Sequence, residues 1–141
     1  MITHEEWAIE QLKPLSMFET AKWWADGLKV LGAGNGAGIL TAGAALSTFN
    51  DQQQALLEVK LAGLSFFIGL CSFALAFFLI YFSMHSQDEL SHAALKKDKD
   101  AILLNSSLSS SSMKRATQWA FVSAIAFVFG VVVGLIAFLS F

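Results

Sequence analysis

Two stretches of this chain carry no charge for more than twenty residues each, and no other feature restricts its possible folds so strongly. They are 61–82 (LAGLSFFIGLCSFALAFFLIYF) and 119–141 (WAFVSAIAFVFGVVVGLIAFLSF). At 1.5 Å per residue, about 20 helical residues cross the hydrocarbon core of a bilayer. Both windows are therefore read as transmembrane helices. A third window, 30–49, is uncharged but diluted by Gly32, Gly34, Gly36, Gly38 and Gly43 and by the amide of Asn35. It crosses only with help from packing against the other spans or another copy. Only 14% of the residues are charged, where a soluble domain carries about a quarter.

The expected fold class is all-α, an integral membrane three-helix bundle. Residues 1–29 form cytoplasmic and interfacial amphipathic helices, 30–49 the first span and 50–60 an external loop. The second span is 61–82, followed by a cytoplasmic helix and serine-rich linker over 83–117 and the third span at 118–141. Eight of the nine basic residues (Lys13, Lys22, Lys29, Lys96, Lys97, Lys99, Lys114 and Arg115) fall on one side of this arrangement, and Lys60 alone on the other. The positive-inside rule puts the N-terminus in the cytoplasm and the C-terminus outside, in a bacterial inner membrane. A cleaved signal peptide is rejected, because the acidic residues Glu5, Glu6, Glu10, Glu19 and Asp26 make the leading segment net negative.

Residues 28–43 (LKVLGAGNGAGILTAG) imitate a phosphate-cradling loop. A dinucleotide fold needs a full strand before the glycines and a second strand after the helix. Here the leading strand would be four residues including a lysine, and DQQQALLEVK after Asn50 runs straight into a membrane span. The glycines belong instead to a thin helix. Lipid tails are as apolar as leucine, so helices in a membrane associate through close backbone approach at small residues. Small residues at three- and four-residue spacing occur as Gly34, Gly38, Thr41, Ala45 and Thr48 in span one. Span two offers Ser65, Gly69, Ser72 and Ala76, and span three Ser123, Ala126, Gly130, Gly134 and Ala137. Span one has a surplus, since Gly32, Gly36 and Gly43 form a second bare ridge. Gly32, Gly34, Asn35, Gly36, Gly38, Thr41 and Gly43 are thus the candidate interface, between subunits, with a different membrane protein, or within the chain. Asn35 must find polar partners, across an oligomer, in a pore or inside its own bundle.

The alternation Gly32, Gly34, Gly36, Gly38 resembles the GxGxGxG of rotary ATP synthase c-subunits, whose thin helices line a ring. That family carries an ion-binding carboxylate in its second span, and 61–82 has none, so the resemblance implies ring-capable packing and no rotor function.

Thr3/Glu6, Ser16/Glu19 and Ser86/Glu89 stand at capping-box spacing, predicting helix starts near His4, Met17 and Gln87, with Pro14 interrupting the first helix. The second of these is expected to lie on the membrane face and to turn into span one near Gly27. Residues 86–104 are expected to extend span two, and NSSLSSSS over 105–112 reads as a flexible connector. Trp7, Trp23, Trp24 and Trp119, with Lys114 and Arg115, are the expected interfacial anchors.

Chemistry is sparse. Glu89-x-x-His92 with His85 has di-iron spacing, but a single copy would need symmetry-related subunits, so no metal and no cofactor are expected. No catalytic set is present, and no intramembrane acid or base exists for proton relay. Lys96, Lys97 and Lys99 alternate with Asp98 and Asp100, excluding a nucleic-acid patch. Cys71 is alone, so no disulfide forms. Two functions are expected ahead of an enzyme. One is a self-associating pore or membrane-permeabilising protein, holin-like or phage-defence in context. The other is a non-conducting accessory docking on a larger membrane protein, for which colicin immunity proteins offer an architectural analogy. The layout is similar to scattered uncharacterised small bacterial three-span membrane proteins, a resemblance that implies no activity.

Overall fold

The computed structural model describes the backbone of residues 4–48 and 53–139 and the side chains of 22–48, 53–94 and 96–139. These residues form three helices: α1 (His4–Thr48), α2 (Gln53–Leu95) and α3 (Lys99–Leu139). All three contain segments long and apolar enough to cross a membrane, α1 being the least apolar. The described residues are thus all helical, with three helices able to span a membrane. α2 and α3 form an antiparallel hairpin, and α1 lies against it, antiparallel to α2. Forty residues of helix measure about 60 Å, twice the hydrocarbon thickness. By composition the uncharged windows mark one half of the hairpin as its lipid half, and beyond about Tyr81 and Arg115 the two helices continue as an arm that carries charged and serine-rich segments.

A seven-residue repeat holds the hairpin together from end to end. On α2 the residues Ala55, Ala62, Gly69, Ala76 and Ser83 recur every seventh position, and all are buried. On α3 the matching line is Ser109, Ala116, Ser123, Gly130 and Ala137. On α1 it is Leu28, Asn35 and Ala42. A strict seven-residue period demands a left-handed supercoil, and small side chains at every repeat let the backbones approach closely. Ser65 Oγ donates to the carbonyl of Ala126 at 2.7 Å. In the arm, Ser83 Oγ donates to the Ser109 carbonyl at 3.0 Å, and the two hydroxyls lie 3.0 Å apart. The larger side chains Leu28, Ile80, Trp24, Phe73, Leu79 and Met113 fill the space where the three helices leave the lipid half.

Five local expectations are corrected. Residues 53–60, expected within an external loop, are the first turns of α2, where Ala55 and Val59 gain burial against Ala42 and Ala137. α1 runs unbroken through Pro14 and Gly27. A proline removes one backbone hydrogen bond and crowds one turn, a cost confined to that turn, while a helical glycine costs only about 1 kcal/mol. Residues 86–104 are not one helix, for the chain reverses at Lys96–Asp98. Lys97 there takes a left-handed φ of 57°, Asp98 N–H reaches back to the Ala93 carbonyl at 3.0 Å, and Asp98 caps α3 by accepting from Ala101 N–H at 3.1 Å. Ser86 caps nothing. It lies mid-helix, its hydroxyl donating to the Phe82 carbonyl at 3.0 Å. Residues 105–112 are α-helical rather than a flexible connector, with Ser109 and Ser112 buried in the seam. Serine there acts as a small side chain whose hydroxyl finds partners on the helices.

Candidate functional site on the first helix

The glycines of α1 sort into two groups once the neighbouring helices are in place. Three of them receive aromatic rings of the same chain. A Cβ at Gly32 would stand 2.8 Å from the Phe73 ring, and one at Gly34 would stand 2.9 Å from Phe127. A Cβ at Gly38 would collide with the Phe66 ring, which also presses on Gly130 of α3, where an added Cβ would lie 2.8 Å away. Phe66 is thus a wedge joining all three helices, and it meets Phe127 with ring centroids 6.0 Å apart. The second group is bare. No neighbouring atom lies within 4 Å of a Cβ built at Gly36 or Gly43. Thr41 is exposed beside them, its hydroxyl donating to its own helix at Ala37 O, 2.9 Å away. Ala33, Ala37, Leu40 and Ala44 complete this outward face.

Asn35 points the other way, to the axis of the bundle, and is fully buried. Its amide nitrogen donates to Leu31 O at 2.9 Å and to Ser123 Oγ at 3.2 Å. Ser123 Oγ in turn donates to Gly69 O at 2.8 Å. A backbone carbonyl only accepts, so the nitrogen must face Leu31 and the amide orientation is fixed. Asn35 Oδ1 lies against Gly69, in the space a Cβ would take, and has no hydrogen-bond donor. The Gly69 Cα–H faces it, which gives a weak contact of the Cα–H···O kind. One residue from each helix therefore meets at a single polar node. Glu58 Oε2, near the far end of α2, is the other buried side-chain oxygen without a hydrogen bond among the described residues. Nothing in the sequence reading singled it out.

The expected anchors divide. Trp23 is 84% exposed and Trp119 is 39% exposed, and Lys114 and Arg115 are exposed near Trp119 in sequence. Trp24 packs on protein instead, against the cluster of Leu28, Ala76, Ile80, Ala116 and Ala120. Trp7 lies outside the residues whose side chains are described. Lys29, facing outward, pairs with Asp26 at 3.2 Å. His85, Glu89 and His92 are exposed on α2, and no group of three potential metal ligands occurs among the described residues.

The partners of the small residues in α2 and α3 were legible as spacing. The phenylalanine wedges were not, because nothing in the sequence shows which glycine faces which ring. A signal for Phe66 and Phe73 did exist: they stand seven apart on the line of Val59 and Ile80, both buried.

Comparison with known protein families, with characterised proteins and with solved structures finds no match to this chain.

Proposed function

We propose that the protein self-associates in the membrane through the outward face of α1, and that a membrane-permeabilising assembly forms between the copies. The observation carrying this reading is the pair Gly36 and Gly43, bare of any neighbour within 4 Å and flanked by exposed Ala33, Ala37 and Ala44. Helices in lipid associate where small residues let backbones approach, and a face repeated on every copy builds a ring when the rotation closes. Gly32, Gly34, Gly38 and Asn35 are occupied within the chain, so the contact between copies rests on Gly36, Thr41 and Gly43. The basic residues around Trp23 and Trp119 orient the arm and α1's start to the cytoplasmic side of a bacterial inner membrane. Holin-like or phage-defence activity is the biological setting this reading favours.

The test uses the full chain in mild detergent and in liposomes. Light scattering is expected to give one defined oligomer, and liposomes carrying the protein are expected to leak a small dye. Gly36→Leu is expected to abolish both while leaving helix content unchanged. A monomer that leaks nothing overturns the proposal.

A second reading has its own support. Phe66, Phe73 and Phe127 fill the ground between the helices, so a single bundle encloses no polar path. That favours a non-conducting accessory whose bare α1 face docks on a larger membrane protein. Stoichiometric recovery with one membrane partner, without leakage, is the result that selects it.

A further inference from the structure

Of the five glycines from Gly32 to Gly43, three receive a phenylalanine ring of the same chain, while Gly36 and Gly43 have no neighbour. Further rings stand on the outer side of α3. Phe121, Ala124, Ile125, Val128, Phe129 and Val132 line a wholly apolar groove of about 460 Å³, and Phe121 and Phe129 are both exposed.

The two outer faces match in depth. α1 and α3 run in the same direction, since each is antiparallel to α2, and the Asn35–Ser123 hydrogen bond sets residues 88 positions apart at one height. That offset carries Ala33 to Phe121, Ala37 to Ile125, Leu40 to Val128 and Ala44 to Val132. At every level except Leu40 a small side chain is paired with a branched or aromatic one. Gly36 and Phe129 repeat the spacing by which Gly34 receives Phe127 inside the chain. Copies oriented alike by their basic residues are related by an axis along the membrane normal, so surfaces of equal height meet.

Charge agrees with shape. The line Leu40, Ala33 on α1 continues at sevenfold spacing to Asp26, and the line Val128, Phe121 on α3 continues to Lys114. These two charges are again 88 apart, and both are exposed, as is Arg115. Neither Lys114 nor Arg115 has an ion pair among the described residues, and Asp26 touches Lys29 through one carboxylate oxygen only. That exposed pair contributes little. A lipid tail would cover either face, but it accounts for neither the matched sizes nor the matched charges. We infer that the bare face of α1 docks in the α3 groove of a second copy, where Gly36 receives Phe129 and Asp26 pairs with Lys114 and Arg115. The inference rests on the self-association proposed above and names the surface that the α1 face meets. Because it joins two different surfaces, the contact repeats head to tail around the assembly.

Disulfide mapping between copies tests this in the full chain with Cys71→Ala. Ala37→Cys and Ile125→Cys are placed in separate copies carrying tags of different length, then mixed in mild detergent. The 37/125 bridge is expected to exceed the 37/37 and 125/125 bridges about tenfold. Asp26→Lys and Lys114→Asp are each expected to raise the dissociation constant of the oligomer about threefold, and the two together to recover most of the loss. All four sites are exposed, so helix content is expected to stay unchanged in every variant. An oligomer that bridges 37/37 and not 37/125 overturns the inference while self-association survives, the α1 face then meeting its own copy. A charge swap that recovers nothing overturns it as well. A chain that is monomeric before any substitution overturns both this inference and the reading beneath it.

Discussion

The lipid half of the α2–α3 hairpin and its projecting arm share one repeat yet are held by different forces. In lipid, a seam of Ala62, Gly69, Ala76, Ser123 and Gly130 is well matched to its solvent. Hydrophobic exclusion is absent there, and close backbone contact with interhelical hydrogen bonds carries association. In the arm the same spacing continues as Ser83, Ser86, Ser109 and Ser112, all buried, while Leu103 and Leu104 are 71% and 59% exposed. Water would reward the opposite arrangement, since burying a leucine gains about 2 kcal/mol and burying a serine almost nothing. The arm is therefore helical mainly because it continues helices already nucleated in the lipid half. A repeat specifies geometry, and the surroundings decide how much stability that geometry yields.

The largest expected effect comes from overfilling the lipid half. Gly130→Leu drives a side chain into Phe66 and is expected to destabilise the bundle by about 3 kcal/mol, measured by thermal unfolding of the full chain in detergent. Ser109→Leu at the equivalent position of the arm should cost only about 1 kcal/mol, and equal losses at the two sites would break the comparison. Hydrogen exchange gives the next largest contrast. Amides of the arm near Ser83 and Ser109 should exchange about a hundredfold faster than those near Ala76 and Ala120, and uniform protection would show an arm stable in its own right. Within the arm, Ser83→Ala alone should cost about 1 kcal/mol by stranding Ser109, whereas Ser83→Ala with Ser109→Ala should recover most of the loss. The smallest effect belongs to the turn: Lys97→Gly relieves a left-handed lysine and should stabilise the hairpin by about 0.5 kcal/mol.

Much of the lipid half was legible because its determinants are local. Charge-free length announced the spans, and small-residue spacing announced Ser65, Gly69, Ser72 and Ala76 as a buried line. The arm was misread for a physical reason: serine run and loop share a composition, and only the sevenfold spacing of Ser109, Ala116 and Ser123 distinguishes them. The hairpin turn carries neither glycine nor proline, so Lys97 gave no warning. On α1 the sequence showed a surplus of glycines but not its division, because Gly32 and Gly36 differ only in which one a distant phenylalanine reaches. Asn35 demanded a partner by its chemistry, yet its choice of Ser123, 88 positions away, depends on the packing of the whole bundle.

The absence of any break where α2 and α3 leave the lipid has a mechanical consequence. The arm's α2 segment, 83–95, rises about 20 Å, so it behaves as a lever whose fulcrum is the layer of Ile80 and Met113. A tilt of about 10° at that layer would sweep the Lys97 tip sideways by about 3.5 Å. A contact at the tip could thus be felt among the membrane helices without any joint to absorb it.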